Sequence, residues 1–255
     1  MYKPYIISTP DFDPVSGGVR VMWGLYGWLL AKGQIAYVNR YPDIDRIAIY
    51  PEIFHGNPIG AKTVVRYILN EPGVMGSYQS GQFVPGPTKF DKTDKLYVFS
   101  QVFNTVGADE DHLLFLPILN THLFKDQKKN RPHTCYLVGK GENTHKHPED
   151  SIELNRLLAS DQGKLADLLN ECHTLYIYDK LSAMMEIARL CGCKVKYFGG
   201  YTKNQLSLYE PGLNGISVGD EENPLDSEAF VSHYNALQGV FSDKFDHFID
   251  ETQKG

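Results

Sequence analysis

The residues best suited to chemistry fall in three short stretches. The first is Tyr178-Asp179-Lys180-Leu181-Ser182, running on to Glu186. An acid follows an apolar run there, and Ser182 and Glu186 stand four positions apart, neighbours on one face of a helix. Leu181, Met184, Met185 and Ala188 make the apolar face of that helix, which leaves Asp179, Ser182 and Glu186 on an arc turned away from it. Carboxylates accept hydrogen bonds from ligand hydroxyls, and a hydroxyl beside the free N–H groups of a helix start suits an anion. The plainer reading is a solvated arc on which Glu186 pairs with Arg189, three positions on.

The second stretch is Ser16-Gly17-Gly18, where two glycines let the backbone approach a ligand and the following helix offers unpaired N–H groups. A tight turn needs the same residues. The third is Val138-Gly139-Lys140-Gly141, in which a lysine between glycines is either a point charge for a phosphate or a solvated loop lysine. The GxxxxGK[ST] spacing is absent, which argues against a P-loop, and no GxGxxG follows the first strand, which argues against a dinucleotide-dependent oxidoreductase.

Cys135, Cys172, Cys191 and Cys193 read as reduced, buried thiols, because a C-x-C with no second pair nearby is a poor zinc signal. His145 and His147 flank Lys146 as loop histidines. No metal and no cofactor is expected.

These stretches are placed by alternating elements. A strand over 3–8 leads into a helix over 18–31, with strands following at 35–38, 47–50, 63–67, 96–99 and 113–116. Residues 71–87, rich in Gly and Pro, read as a long irregular loop. The polar, mostly basic stretch 125–131 reads as a linker. After it come a strand at 133–138, helices at 151–158 and 164–170, a strand at 174–178, a helix at 180–191, a strand at 194–198 and tail helices at 226–240 and 243–252. Strand-helix alternation predicts an α/β protein with parallel sheets, in two Rossmann-like lobes. The expected division is an N-terminal domain 1–125, a second domain 126–240, and a C-terminal helix 241–255 packing back on the first domain.

The totals set limits. At 255 residues, 42% hydrophobic and 22% charged, the chain is an ordinary globular protein. A net charge of −6 gives no long-range attraction to nucleic acid. No apolar run approaches the ~20 residues of a membrane span, and the first residues lack the pattern of a signal peptide, so a cytoplasmic protein is expected, peripheral to the inner membrane face if its acceptor is there.

The segment YDKLSAMMEIARLCGCKVKY resembles the donor-site segment of GT-B glycosyltransferases, in particular short bacterial and viral polysaccharide glycosyltransferases. Three further blocks are similar to that group and come in the same order: Val65 to Gly73, Cys135 to Gly141, and Gly212 to Gly219. The resemblance implies two lobes with a cleft between them, domain 1–125 on the acceptor side and domain 126–240 binding the nucleotide sugar, and transfer of a sugar from a nucleotide diphosphate donor to a hydroxyl of a glycan or lipid-linked acceptor. It implies that Glu186 grips the donor ribose, that Ser182 and helix-start amides hold the diphosphate, and that Gly17, Gly18, Lys140 and Tyr178 lie on the donor side. Many relatives carry a second acid eight positions before that glutamate. Here that position is Tyr178, and Asp179, one residue on, is the catalytic candidate. Arg66 fits either a charge partner for the phosphates or a structural salt bridge. The other readings are a transferase acting on a modified DNA base and a non-catalytic sugar-nucleotide-binding subunit.

Overall fold

The computed structural model describes residues 2–254, so Met1 and Gly255, the outer ends of the expected first domain and tail, lie outside it. It is an α/β protein with two five-stranded parallel sheets, and the chain separates into two compact units. One comprises residues up to Ile118 together with those from Gln238 on; the other spans Leu119–Leu237. The sequence places these divisions at 125/126 and 240/241. The difference at the first has a physical cause, because 125–131 is fastened rather than loose. Arg131 pairs with Asp126 at 2.7 Å and donates to the carbonyls of Leu169, Cys172 and Cys191, while Asn170 bonds the backbone of Lys125 and Gln127.

In the first unit, β1 (Tyr5–Ile7), α1 (Gly17–Ala31), β2 (Ala36–Val38), β3 (Ile47–Pro51) and β4 (Thr63–Ile68) are followed by a hairpin of β5 (Gly76–Gln79) and β6 (Gln82–Pro85), then β7 (Lys95–Val98). β3 and β4 are buried throughout, the mark of parallel strands covered on both faces. The hairpin replaces the irregular loop expected over 71–87. Ser80 and Gly81, with φ of 49° and 81°, form a tight turn between the facing positions Gln79 and Gln82. The expected strand at 113–116 reduces to a single bridge from Leu113 to Val98, although Leu114 and Leu116 are fully buried.

In the second unit come β8 (His133–Leu137), β9 (Ile152–Glu153), α2 (Arg156–Ser160), α3 (Gln162–Glu171), β10 (Cys172–Ile177), α4 (Met184–Leu190), β11 (Lys194–Tyr197), α5 (Lys203–Leu206), β12 (Ile216–Val218) and the start of α6 (Ser227–Lys254). The helix expected over 151–158 is instead β9 followed by α2, whose start is fixed by Asn155 accepting from Leu158 N–H. The two tail helices are one helix of 28 residues; Gly239 is tolerated within it at a cost of about 1 kcal/mol.

The sheets share one strand order. Counting strands by their appearance in each, both read 2-1-3-4-5: β2-β1-β3-β4-β7 and β9-β8-β10-β11-β12. In a parallel sheet with right-handed crossovers, the connection leaving the first strand and the one leaving the third take opposite faces, opening a crevice at their carboxyl ends where ligands bind. In the second sheet that crevice lies between the ends of β8 and β10.

The second half of α6 belongs to the first unit's core, where Phe241, Phe245 and Phe248 pack with Tyr5, Trp28 and Tyr97. Glu251 completes the attachment by pairing with Lys95 at 2.7 Å and His112 at 3.2 Å and accepting from the Tyr97 hydroxyl. Burial alone would raise the Glu251 pKa, but the bonds from Lys95 and Tyr97 outweigh it and hold it below the ordinary glutamate value. Its stabilisation is therefore complete above the unfolded pKa of about 4.5 and lost as pH falls through the depressed folded value. Glu251→Gln should flatten the acid limb of a stability-pH curve and cost about 1–2 kcal/mol at pH 7, read from urea midpoints.

Candidate donor site in the second unit

Three strand ends meet at the crevice of the second sheet. After β8, Gly139 takes a left-handed φ of 58°, and the Lys140 N–H points to Asp179 Oδ2 at 3.4 Å. After β10 come Tyr178 and Asp179; after β11 come Gly199 and Gly200. The backbones are so close that side chains have no room. A Cβ on Gly141 would fall 1.8 Å from the Tyr178 carbonyl oxygen, and one on Gly199 would fall 2.1 Å from that of Asp179. Lys140 is exposed at the rim, and Lys180 lies over the Tyr201 ring at 4.7 Å. The Tyr197 hydroxyl donates to Lys180 O and accepts from Tyr201 N–H, tying the second and third loops together.

Asp179 is half-buried, and burial raises its pKa, opposed by the Lys140 N–H and the Lys140 charge. The crevice thus holds a carboxylate of increased basicity beside an exposed lysine and a glycine-lined backbone. That combination suits a polyanion with attached hydroxyls.

Other candidates sit differently. α4 starts at Met184, not at 180, so Asp179 and Ser182 belong to the loop before it. The Ser182 hydroxyl accepts from Met184 N–H at 3.2 Å, which uses it locally. Glu186 does not lie on a solvated arc; it is 5% exposed and accepts the Tyr209 hydroxyl. Arg189 is fully buried too, and it donates to the carbonyls of Met185, Gly212 and Asn214, with Phe230 over its guanidinium at 4.2 Å. Gly17 and Gly18 open α1 in the first unit, where Ser16 caps the helix, and the space around Gly17 is open. Arg66, also in the first unit, is a structural residue. Its Nε pairs with Asp94 at 2.7 Å, its other nitrogens donate to Phe54 and Gly56 carbonyls, and both charged side chains are at most 4% exposed.

Tyr178 is 2% exposed, and its role is to hold a loop. Its hydroxyl accepts from the N–H groups of Lys146 (2.9 Å) and His147 (3.2 Å) and pairs with His147 Nδ1 at 2.7 Å. Two incoming N–H bonds occupy the phenol's lone pairs, so its own proton goes to Nδ1, and His147 is neutral with its proton on Nε2. His147 also stacks on Tyr136, centroids 3.9 Å apart. Burial first, and then the neighbouring His145, lower its pKa from 6.5. A neutral-in-the-fold histidine gives stability that is complete above the unfolded pKa and declines as pH drops below about 6.5 toward the depressed folded value. We expect Tyr178→Phe to leave that decline in place, since burial and His145 cause it, and to speed amide exchange at Lys146 and His147 about tenfold or more, as seen by NMR hydrogen exchange.

Sequence reasoning passed over Gly199, Gly200 and Tyr197, and read His147 only as a loop histidine. The Gly199-Gly200 pair after a strand is the same signal as Gly17-Gly18 and was legible; the roles of Tyr197 and His147 follow only from strand order. All four cysteines are free and buried. Cys191-Gly192-Cys193 closes α4: Gly192 has a φ of 81°, its N–H bonds Arg189 O, and the Cys193 N–H bonds Ala188 O. Among the described residues no group of three or more His, Cys, Asp or Glu side chains is placed to hold a metal ion, and no helix is long and apolar enough to cross a membrane. No protein-family model, curated protein or solved structure matches the chain.

Proposed function

We propose that the chain is a glycosyltransferase of GT-B type whose second unit holds a nucleotide diphosphate sugar and whose acceptor is a hydroxyl of a glycan or lipid-linked sugar. The observation that carries this reading is the meeting of Lys140, Asp179 and the close-packed glycines at the first-to-third strand crevice of the second sheet. A diphosphate over Gly139–Gly141 meets the Lys140 ammonium, which offsets the charge that builds on it as the sugar departs. In transfer, the acceptor oxygen bonds the anomeric carbon, the bond from that carbon to the phosphate oxygen breaks, and the diphosphate leaves with the electron pair. The acceptor's proton goes to a base, and Asp179, the carboxylate at the crevice whose pKa burial raises, is placed in that role. Glu186 would take a ribose hydroxyl in place of the Tyr209 phenol it now accepts.

Thermal stabilisation by a panel of UDP- and GDP-sugars tests this. At least one donor should raise the Tm, Lys140→Ala should weaken its binding about tenfold by removing a charge-assisted contact, and Asp179→Asn should keep binding while losing turnover. A panel without effect, with Lys140→Ala indistinguishable from the parent, would sink the reading. One observation favours a non-catalytic donor cradle as the second reading: the position where many relatives carry an acid is a tyrosine whose hydroxyl is engaged with the 146–147 backbone. Donor binding with neither hydrolysis nor transfer, in the parent and in Tyr178→Glu alike, would decide for it.

A further inference from the structure

The β5–β6 hairpin has a surface unlike the rest of the chain. Its residues alternate, so that Tyr78 and Phe83, a facing pair, share one side with Gly76 and Pro85, while Ser77, Val84 and Gln82 belong to the other. Tyr78 is 78% exposed and Phe83 49%, with their rings edge to face at 5.7 Å, and Val74 at the base is 47% exposed. From Pro72 to Thr88 there is no Asp, Glu, Lys or Arg, in a protein of which 22% is charged. Exposed strands are ordinarily protected from association by charge, lysine above all. This one presents aromatic rings and has none.

The base of the hairpin is rigidly made. A Cβ on Gly76 would fall 2.0 Å from the Val84 carbonyl oxygen, and one on Gly86 would fall 2.8 Å from Ile53 Cα, so both strands are pressed together and onto the end of β3. His55 bonds the Pro85 carbonyl at 2.9 Å. Exposed Lys89 and Lys92 follow directly, with Asp91 between them. The hairpin grows from the carboxyl end of β4, the same sheet edge from which the loop after β1 leads to Gly17 and Gly18.

We infer that the hairpin is a lipid-surface anchor: Tyr78, Phe83 and Val74 enter the boundary between headgroups and acyl chains, and Lys89 and Lys92 meet anionic headgroups. Three features select this occupant. Charge is excluded from the part that would enter, as the cost of taking charge into hydrocarbon demands. An aromatic ring with one polar edge, as Tyr78 has, favours the interfacial layer, and the Phe83 ring beside it is apolar throughout. The two strands satisfy each other's inward backbone groups, which an unpaired loop would have to leave open. The inference stands apart from the donor-site reading, since it concerns the first unit and needs no sugar nucleotide.

Co-sedimentation of the full chain with vesicles tests it, using phosphatidylcholine alone and phosphatidylcholine with about one-third phosphatidylglycerol. The parent should bind the anionic vesicles, and Tyr78→Ser with Phe83→Ser should bind about tenfold more weakly at unchanged melting temperature. Lys89→Glu with Lys92→Glu should lose binding to the anionic vesicles only. Absence of binding by the parent, or equal binding by the aromatic double variant, overturns the inference. So does a parent that is dimeric by light scattering and becomes monomeric in Tyr78→Ser with Phe83→Ser, because the face then belongs to a second copy.

Discussion

Gly141→Ala is expected to destabilise the chain by about 3 kcal/mol or more and to abolish donor binding, the heavier end of what overpacking does. The added methyl would lie 1.8 Å from the Tyr178 carbonyl oxygen, a backbone atom that no side-chain rotation can move aside. Relief requires the ends of β8 and β10 to part, and that opens the crevice in which Lys140 and Asp179 are brought together. Gly17→Ala is the control, because the space around Gly17 is open and the position is helical; no loss of stability is expected there. Urea unfolding of both variants, alongside binding of whichever donor stabilises the parent, measures the contrast. Equal stability of Gly141→Ala and the parent would show that the strand ends are looser than described.

Arg66→Met should cost about 3–5 kcal/mol, because it strands the buried Asp94 carboxylate and two carbonyls that the guanidinium now serves. Asp94→Leu added to it should recover part of that loss, since an apolar pair leaves no uncompensated charge behind. A double-mutant cycle in denaturant gives the coupling directly. The same variants separate the two roles open to this arginine from sequence: a phosphate partner would leave stability intact and lower donor affinity, whereas the structural role does the reverse.

The parts of this protein that could be read from sequence are those whose signal is local. β3 announces itself as a continuous apolar run and β4 as one broken by Arg66, and Lys140 and Asp179 could be picked because each follows a largely apolar stretch. The hairpin escaped because its Gly and Pro content masks an alternation only four residues long on each side. The start of α4 was placed too early because Leu181 and Ser182 fit the helical pattern, yet the Ser182 hydroxyl takes the Met184 N–H and holds the loop open ahead of the helix. Glu186 was read onto a solvated arc because nothing near it in sequence covers it; Tyr209, twenty-three positions away, does. Tyr178 shows the same limit. Its replacement of an acid was visible, but its work as the peg for the 146–147 backbone depends on a partner thirty-one positions earlier.

The split first unit has a bearing on how the chain is made. Its core lacks Phe241, Phe245, Phe248 and Ile249 until the last turns of α6 have been synthesised. During translation the five strands of the first sheet emerge early and must wait, their apolar face incomplete, while Leu119–Leu237, continuous in sequence, can close first. The nascent N-terminal half is thus the stage at which a chaperone has most to bind, and synthesis of the second half of α6, rather than emergence of the first sheet, sets when that half becomes protease-resistant.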